Sequence, residues 1–476
     1  MNSSKSKLPL YLKVAQGLEG QIQHGAFRLG DPIPSIRDLS RQQGVSISTV
    51  LQAYFWLENR GWIEARPKSG FYVKQQAQNL SPEPAYRPSE PRPKAISIGD
   101  LVVEVLRTCG RPVKFPLGAA CPSPDRMPNR ALNTIIRRIS RRNPAHSTNY
   151  DVPPGIPALC RQIAKRSVEH GCNFSPRDLI ITCGALEALN LCLRTIGKSG
   201  DVIVTESPTY FGVLQAIDSL GMKALEIPTH CRTGVNLELL EESIKKHRVR
   251  AYITMTNCQN PLGYILTDDK KRALVDLLAR HEIPLIEDDV YGDLAFDTNR
   301  PRTAKSFDRQ ELVMLCGSFS KTIAPGLRIG WVQGGRYHAG IERLKLLTNL
   351  ASPSLLQLAI AEFMESGGYD RHVRNLRVAF EQQVQMVSQA VAKYFPEGTC
   401  VSRPAGGYVL WVELPKNTDS VSVYRAALSE GITISPGPIF SPSGKFRNYI
   451  RLNCGRTWSE ELDRALLKLG RLCESR

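Results

Sequence analysis

No stretch of the 476-residue sequence approaches about 18 consecutive apolar residues, so no membrane-spanning helix is expected. Its opening, MNSSKSKLPLYLKVAQ, lacks the apolar core of a signal peptide, which argues against secretion and for a cytoplasmic protein. Twelve cysteines include no C-x-x-C pair, and eight histidines include no i, i+4 pair. Those absences point to reduced thiols rather than a disulfide framework, and to no metal site. Internal repeats are also lacking. Acidic residues are the scarcer sign: 45 Asp and Glu against 62 Lys and Arg leave a formal charge of +17. An excess of this kind implies an anionic partner without identifying it. What remains is ordinary for a globular chain, with 42% hydrophobic and 22% charged residues, and length alone suggests about three domains.

The clearest boundary is residues 75–96, QQAQNLSPEPAYRPSEPRPKAI, which carry Pro82, Pro84, Pro88, Pro91 and Pro93 and no apolar periodicity. This reads as a semi-extended linker able to reach up to roughly 70 Å. It divides a small module (1–74) from a large one (97–476).

In the small module Leu12, Ala15, Leu18 and Ile22 recur at helical spacing. Pro34 and Ser35 open a second short helix with Ile36 and Leu39 inward, and Gly44 supplies the turn. Ser46 is a good N-cap for a third helix whose inner face is Val50, Ala53, Tyr54 and Leu57. After Gly61, residues 62–65 and 71–73 flank the turn Pro67-Lys68-Ser69-Gly70, which predicts a β-hairpin. Three helices, a tight turn and a hairpin make a winged helix-turn-helix. The third helix offers Ser48, Thr49 and Gln52 outward, types suited to base edges and phosphates, while Arg37, Arg41 and the wing residue Lys68 bring backbone-directed charge. Residues 1–74 hold ten Lys and Arg against five Asp and Glu. Composition alone leaves open a protein–protein module with a solvated polar face.

The run GAFRLGDPIPSIRDLSRQQGVSISTVLQAYFWLENRGWIEARPKSGFYV resembles the DNA-binding domain of GntR-type bacterial transcription factors, including P-S-I-R-D-L-S (from Pro34) and S-x-S-T-V (from Ser46). The resemblance implies double-stranded operator DNA as partner. Many relatives carry Arg after the Ser46 position, where this sequence has Ile47, so the operator is not carried over.

From about residue 178, apolar β-rich runs alternate with helical patterns: strands are expected at 179–181, 202–204, 251–254, 284–286 and 312–315, helices at 237–247 and 268–281. That alternation predicts an α/β architecture, a mainly parallel sheet with helices on both faces and ligands at the strand ends. Several such ends carry chemistry. Gly317-Ser318-Phe319-Ser320-Lys321 followed by Arg328 could hold a phosphate and present an amine. Gly184, Ala185 and Leu186 open a helix after a strand, where free N–H groups bind anions. Asp288 ends the strand PLIEDD, with Tyr291 three residues on; Asn260 and Tyr210 lie in two further loops.

Taken singly, each has a duller explanation as an N-cap, core aromatic or surface lysine. Together they suit pyridoxal 5'-phosphate: Lys321 for a Schiff base with its aldehyde, Asp288 for its pyridinium nitrogen, Asn260 and Tyr291 for its phenolic oxygen, Tyr210 against the ring, and Ser318, Ser320, Arg328 and residues 184–186 for the phosphate.

Residues from about 115 to 475 resemble the aspartate-aminotransferase-type, fold-type I pyridoxal-phosphate enzymes, through Asn149-Tyr150…Gly155, CGALEAL, ESPTY, QNPLG, EDDVY, SFSKTIAPGLRIGW and NYIRLN. The likeness implies a homodimer in which Tyr150 reaches the cofactor phosphate of the partner subunit, a smaller C-terminal α+β subdomain, and Arg451 as a bidentate clamp for a substrate or effector carboxylate. A winged helix joined by a proline-rich linker to such a domain is the architecture of the MocR subfamily of GntR regulators. The expected function is a transcriptional regulator, nucleoid-associated when bound, whose large domain uses the cofactor to sense an amino acid or other amine. A working aminotransferase carrying a DNA-binding module is the alternative, and a sensor of the cofactor itself a third. Arg137, Arg138, Arg141 and Arg142, preceded by Lys114, Arg126 and Arg130, concentrate charge on one helix. This reads as a solvated face, with contact to DNA flanking the operator as the sharper alternative. Cys183, Cys258 and Cys316, beside the cofactor motifs, read as packing thiols.

Overall fold

The computed structural model describes every residue except 1–8, 24–25, 28–29, 61, 67–68, 74–80, 110–112, 143, 298 and 475–476. Two compact units divide between Leu80 and Ser81.

The first unit is α1 (Leu10–Gln23), α2 (Ile36–Gln43), α3 (Ile47–Asn59) and the antiparallel pair β1 (Ile63–Arg66) and β2 (Gly70–Val73). The expected Ser46 cap forms, its hydroxyl accepting from the Thr49 amide at 3.1 Å, and Ser35 caps α2 in the same way, accepting from the Asp38 amide at 3.2 Å. Gly44, at φ +66°, ends α2 in the left-handed conformation that glycine adopts at least cost, which makes the sharp turn into α3. Val14, Ala15, Leu18, Leu39, Val50, Ala53, Tyr54 and Leu57 close the core. The segment before α2 also joins the hairpin, Ile33 N–H donating to the Phe71 carbonyl at 3.0 Å, so the wing is tied to the helices through the backbone.

The second unit is built on one large sheet whose strands follow the order 93–94, 223–230, 202–207, 249–254, 285–288, 313–318, 330–333 and 179–182. The strands from 223–230 to 313–318 run parallel; Ile286, for example, lies opposite Ile253 and Met314. All five expected strands and both expected helices are present, and the strands are buried on both faces, as a helix-covered sheet requires. Three strands on this path were not expected: 93–94, 223–230 and 330–333. Gly330–Gln333 runs antiparallel and inserts between 313–318 and 179–182. A smaller antiparallel sheet of 400–401, 409–413, 449–453 and 435–436, with helices Ser420–Ser429 and Glu460–Glu474, forms the C-terminal subdomain.

Part of the expected linker differs. Residues 75–80 lie outside the described residues, but 81–96 run along the larger unit. The Pro82 carbonyl accepts from Val401 N–H at 2.7 Å, Arg87 pairs with Glu413, Glu83 pairs with Arg232, and Pro93–Lys94 adds a short edge strand. A proline-rich strand has few N–H groups to satisfy, so an extended path held by its carbonyls and charged side chains is sufficient.

Among the described residues no helix is long and apolar enough to cross a membrane, and no cluster of His, Cys, Asp or Glu could hold a metal ion.

Candidate functional site

Parallel strands deliver their C-terminal ends to one edge of the sheet, and several of the expected residues of the large unit gather there. Asp288 ends strand 285–288, next to strand 313–318, which ends at Ser318. Lys321 follows in the next turn. Its Nζ donates to the Ala120 carbonyl at 2.8 Å and stands 5.7 Å from the centre of the Tyr291 ring. Tyr408 donates to that same carbonyl at 3.1 Å, and its ring lies 5.6 Å from that of Tyr291.

Burial sets the electrostatics. Asp288 is 2% exposed, and its Oδ1 has no hydrogen-bond partner among the described residues. Burial, reinforced by the neighbouring Asp289 charge, pushes its carboxyl up to about 7. Burial likewise lowers the Lys321 amine below the ordinary lysine value, with the Arg451 charge acting in the same direction. A lysine so placed reaches its neutral, nucleophilic form more readily. Tyr210 sits at the start of helix Phe211–Ser219, where burial pushes its hydroxyl up to about 12.

The anion end is assembled from three segments. The Ser318 hydroxyl donates to Ser320 Oγ at 2.9 Å, and the Ser320 amide donates back to Ser318 Oγ at 3.1 Å. Arg328 adopts a left-handed backbone (φ +53°) and donates to the Cys183 carbonyl at 2.8 Å. That conformation is costly for a non-glycine residue, and it brings the guanidinium against Gly184, the residue before helix Ala185–Ile196. A Cβ on Gly184, itself at φ +86°, would stand 2.5 Å from Arg328 Nη2. Two hydroxyls, a guanidinium and the unpaired N–H groups of a helix start therefore face one another.

Arg451 is 1% exposed on strand Tyr449–Asn453. Its Nη1 donates to Asn260 Oδ1 at 3.1 Å, and its Nη2 to the Gly118 carbonyl at 2.5 Å and to Ser435 Oγ at 3.2 Å. Tyr150 stands apart: at 77% exposure it does not enter the site formed by its own chain.

Sequence reasoning missed the layer beneath. Asp289 and Asp293 pair with Arg300, Asp293 also with Arg166 at 3.2 Å, and the Tyr369 hydroxyl bridges Asp293 at 2.6 Å to Thr322, next to Lys321. Glu206 accepts from Tyr264 and from Gln259, whose amide nitrogen also holds the Pro208 carbonyl at 2.9 Å. This ties the loop of Tyr210 to that of Asn260. Glu206, Gln259 and Asp289 were visible inside ESPTY, QNPLG and EDDVY; Arg166 and Arg300, which lie in no such motif, left no local signal.

The residues present fit pyridoxal 5'-phosphate. An acceptor without a partner, Asp288 Oδ1, suits a protonated ring nitrogen; a depressed amine suits an aldehyde; and the Ser318–Ser320–Arg328–Gly184 cradle suits a phosphate.

In the small unit Ser48 and Gln52 on α3 and Arg37 and Arg41 on α2 are exposed. The Ser35 and Ser46 hydroxyls are engaged as caps, and Ser46 Oγ lies 2.9 Å from Ser48 Oγ and 2.7 Å from Thr49 Oγ1. Lys68 lies outside the described residues. On helix Asn129–Arg142, Arg138 pairs with Glu362, whereas Arg130, Arg137, Arg141 and Arg142 are exposed. The sulfurs of Cys316 and Cys192 lie 3.8 Å apart in the core, and Cys258 is buried.

Comparison with known proteins agrees with both units. Residues 10–73 match the family of bacterial regulatory proteins, gntR family, and residues 125–469 match aminotransferase class I and II. The chain is 38% identical to the HTH-type transcriptional regulator YdcR of Escherichia coli (strain K12), over 98% of this chain and 99% of that protein. It is also 38% identical to YjiR of the same organism, over 97% and 98%. Among solved structures, LysN from Thermus thermophilus, an alpha-aminoadipate aminotransferase complexed with N-(5'-phosphopyridoxyl)-L-leucine, matches at a TM-score of 0.73 and 25% identity, covering 78% of this chain and 94% of that one. The chain belongs to the MocR-type transcriptional regulators, in which a GntR-type helix-turn-helix domain is fused to a class I and II aminotransferase domain.

Proposed function

We propose that the protein binds operator DNA through its winged helix-turn-helix, holds pyridoxal 5'-phosphate in the large unit, and uses that group to sense an amino acid or other amine as a homodimer. The observation that carries this reading is the buried, unpartnered Oδ1 of Asp288 at the same strand edge as the Lys321 amine, in a chain that also has a helix-turn-helix. When bound, the cofactor supplies an aldehyde that reacts with primary amines. Lys321 would present the amine that holds it, Asp288 would accept from the ring nitrogen, and Asn260 and Tyr291 would serve the phenolic oxygen. Tyr210 would stack on the ring, and Ser318, Ser320, Arg328 and the amides of residues 184–186 would neutralise the phosphate. Tyr150, exposed on its own chain, reaches the phosphate of the partner subunit. Arg451 clamps the effector carboxylate, exchanging a present acceptor for it. Binding regulates only if the effector favours one of two arrangements of the regulator.

The same residues would serve transamination, and that second reading is tested beside the first. Purified protein should absorb in the visible when supplied with the cofactor, and Lys321→Ala should remove the band; a band that survives the substitution refutes the cofactor assignment. Footprinting upstream of its own gene, with and without the cofactor, should show protection that changes with occupancy. Unchanged protection together with turnover of an amino acid and a keto acid would favour the enzyme.

A further inference from the structure

The polar residues of α3 suit a nucleic-acid interface, yet its apolar outward residues have no role in that account. Ile47, Leu51 and Phe55 are 55%, 36% and 51% exposed. They recur four residues apart, one helical turn each, while Val50, Ala53, Tyr54 and Leu57 on the other side of the helix are fully buried. A single exposed apolar side chain needs no explanation; a stripe of three along one helix marks a surface that something covers.

Its surroundings say what. Exposed Ser48 and Gln52 share the outward face, and α2 presents exposed Arg37 and Arg41. Residues 1–74 hold twice as many basic as acidic residues. The occupant must therefore place apolar groups beside hydrogen-bonding edges, within a rim of negative charge. The major groove at A·T pairs does this: thymine 5-methyl groups lie beside adenine N6 and N7 between two rows of phosphates.

We infer that Ile47 and Leu51 seat against thymine 5-methyl groups while Gln52 contacts an adjacent adenine, so that this protein reads a thymine-containing half-site by van der Waals contact. The inference rests on the DNA-binding reading and specifies its sequence preference. Ile47, in the first turn, and Leu51, in the second, occupy the half of a recognition helix that approaches base edges, and Phe55 continues the stripe toward the groove's margin.

Duplexes selected from a random pool by the full-length protein provide the test. Each selected site is remade with deoxyuridine in place of single thymidines, which keeps base pairing and removes only the methyl group. Affinity should fall about fourfold for each contacted methyl. Ile47→Ser and Leu51→Ser should each erase the thymine-over-uracil preference at one position, with the salt dependence of binding unchanged. Sequence-specific binding that is indifferent to uracil overturns the inference and leaves the regulator reading standing. So does a Leu51→Ser protein that changes its oligomeric state while keeping the preference, since the stripe would then join copies of the chain. If no duplex is enriched, the DNA-binding reading itself fails, and this inference with it.

Discussion

Arg451 and Asn260 are bonded to each other, the buried guanidinium donating from Nη1 to the amide oxygen at 3.1 Å. Asn260 follows a strand of the large sheet, and Arg451 lies on a strand of the C-terminal subdomain. The bond therefore links the two parts of the large unit at the place where a ligand carboxylate would enter. Asn260→Ala should destabilise the large unit by about 1–3 kcal/mol, because a buried charged donor loses an acceptor; denaturant titration measures this. Arg451→Lys should weaken effector binding by tenfold or more, roughly the worth of one bidentate charged contact, with the cofactor's visible band retained.

Gly184 is held against Arg328 by a backbone conformation that L-residues rarely adopt. Gly184→Ala introduces both strain and the 2.5 Å approach to Nη2. We expect a loss of about 1–3 kcal/mol in stability and a larger loss in affinity for pyridoxal phosphate than for pyridoxal, which lacks the phosphate. Equal losses for both would mean that the cradle does not hold an anion.

Asp288 carries a pH signature. Its carboxyl is raised to about 7 by burial and by Asp289, so the cofactor-free fold favours the protonated form. Stability from this group is full below the ordinary aspartate range and is lost as pH rises through about 7. Asp288→Asn should therefore raise the melting temperature of cofactor-free protein by a few degrees at pH 8, with the difference shrinking toward pH 4. The same substitution should weaken cofactor binding. A difference that grows on acidification contradicts the direction of the shift.

Ser46 caps α3, and among the described residues its side chain bonds only to residues of that helix, so its removal isolates the stability of the small unit. Ser46→Ala should cost about 1 kcal/mol, seen as faster amide exchange along α3 in the full chain, with rates in the large sheet unchanged.

The two units and most of their elements were legible in the sequence because each is written in contiguous residues. Ser35, Gly44 and Ser46 mark the ends of α2 and α3, Val50 to Leu57 repeat at helical spacing, and the strands of the large sheet are short apolar runs between helices. The antiparallel strand Gly330–Gln333 was not legible, because it lies inside a motif rich in catalytic residue types and gains its structure from pairing with residue 182 and its neighbours on one side and residue 318 and its neighbours on the other. The path of residues 81–96 was hidden for a similar reason: its partners, Arg232, Val401 and Glu413, are far along the chain.

The site divides in the same way. Residue types and local motifs were enough to name Lys321, Asp288, Asn260 and Arg328, since Asp288 ends a strand and the other three lie in the loops that border strands of the same sheet. Only the tertiary structure decided that Asp288 Oδ1 would be left without a donor, that Ala120 would hold the Lys321 amine, and that Arg451 would draw on Gly118, Asn260 and Ser435 together. Those facts depend on which distant segments exclude water from one another, and burial of that kind, unlike helical periodicity, is a property of no single stretch of sequence.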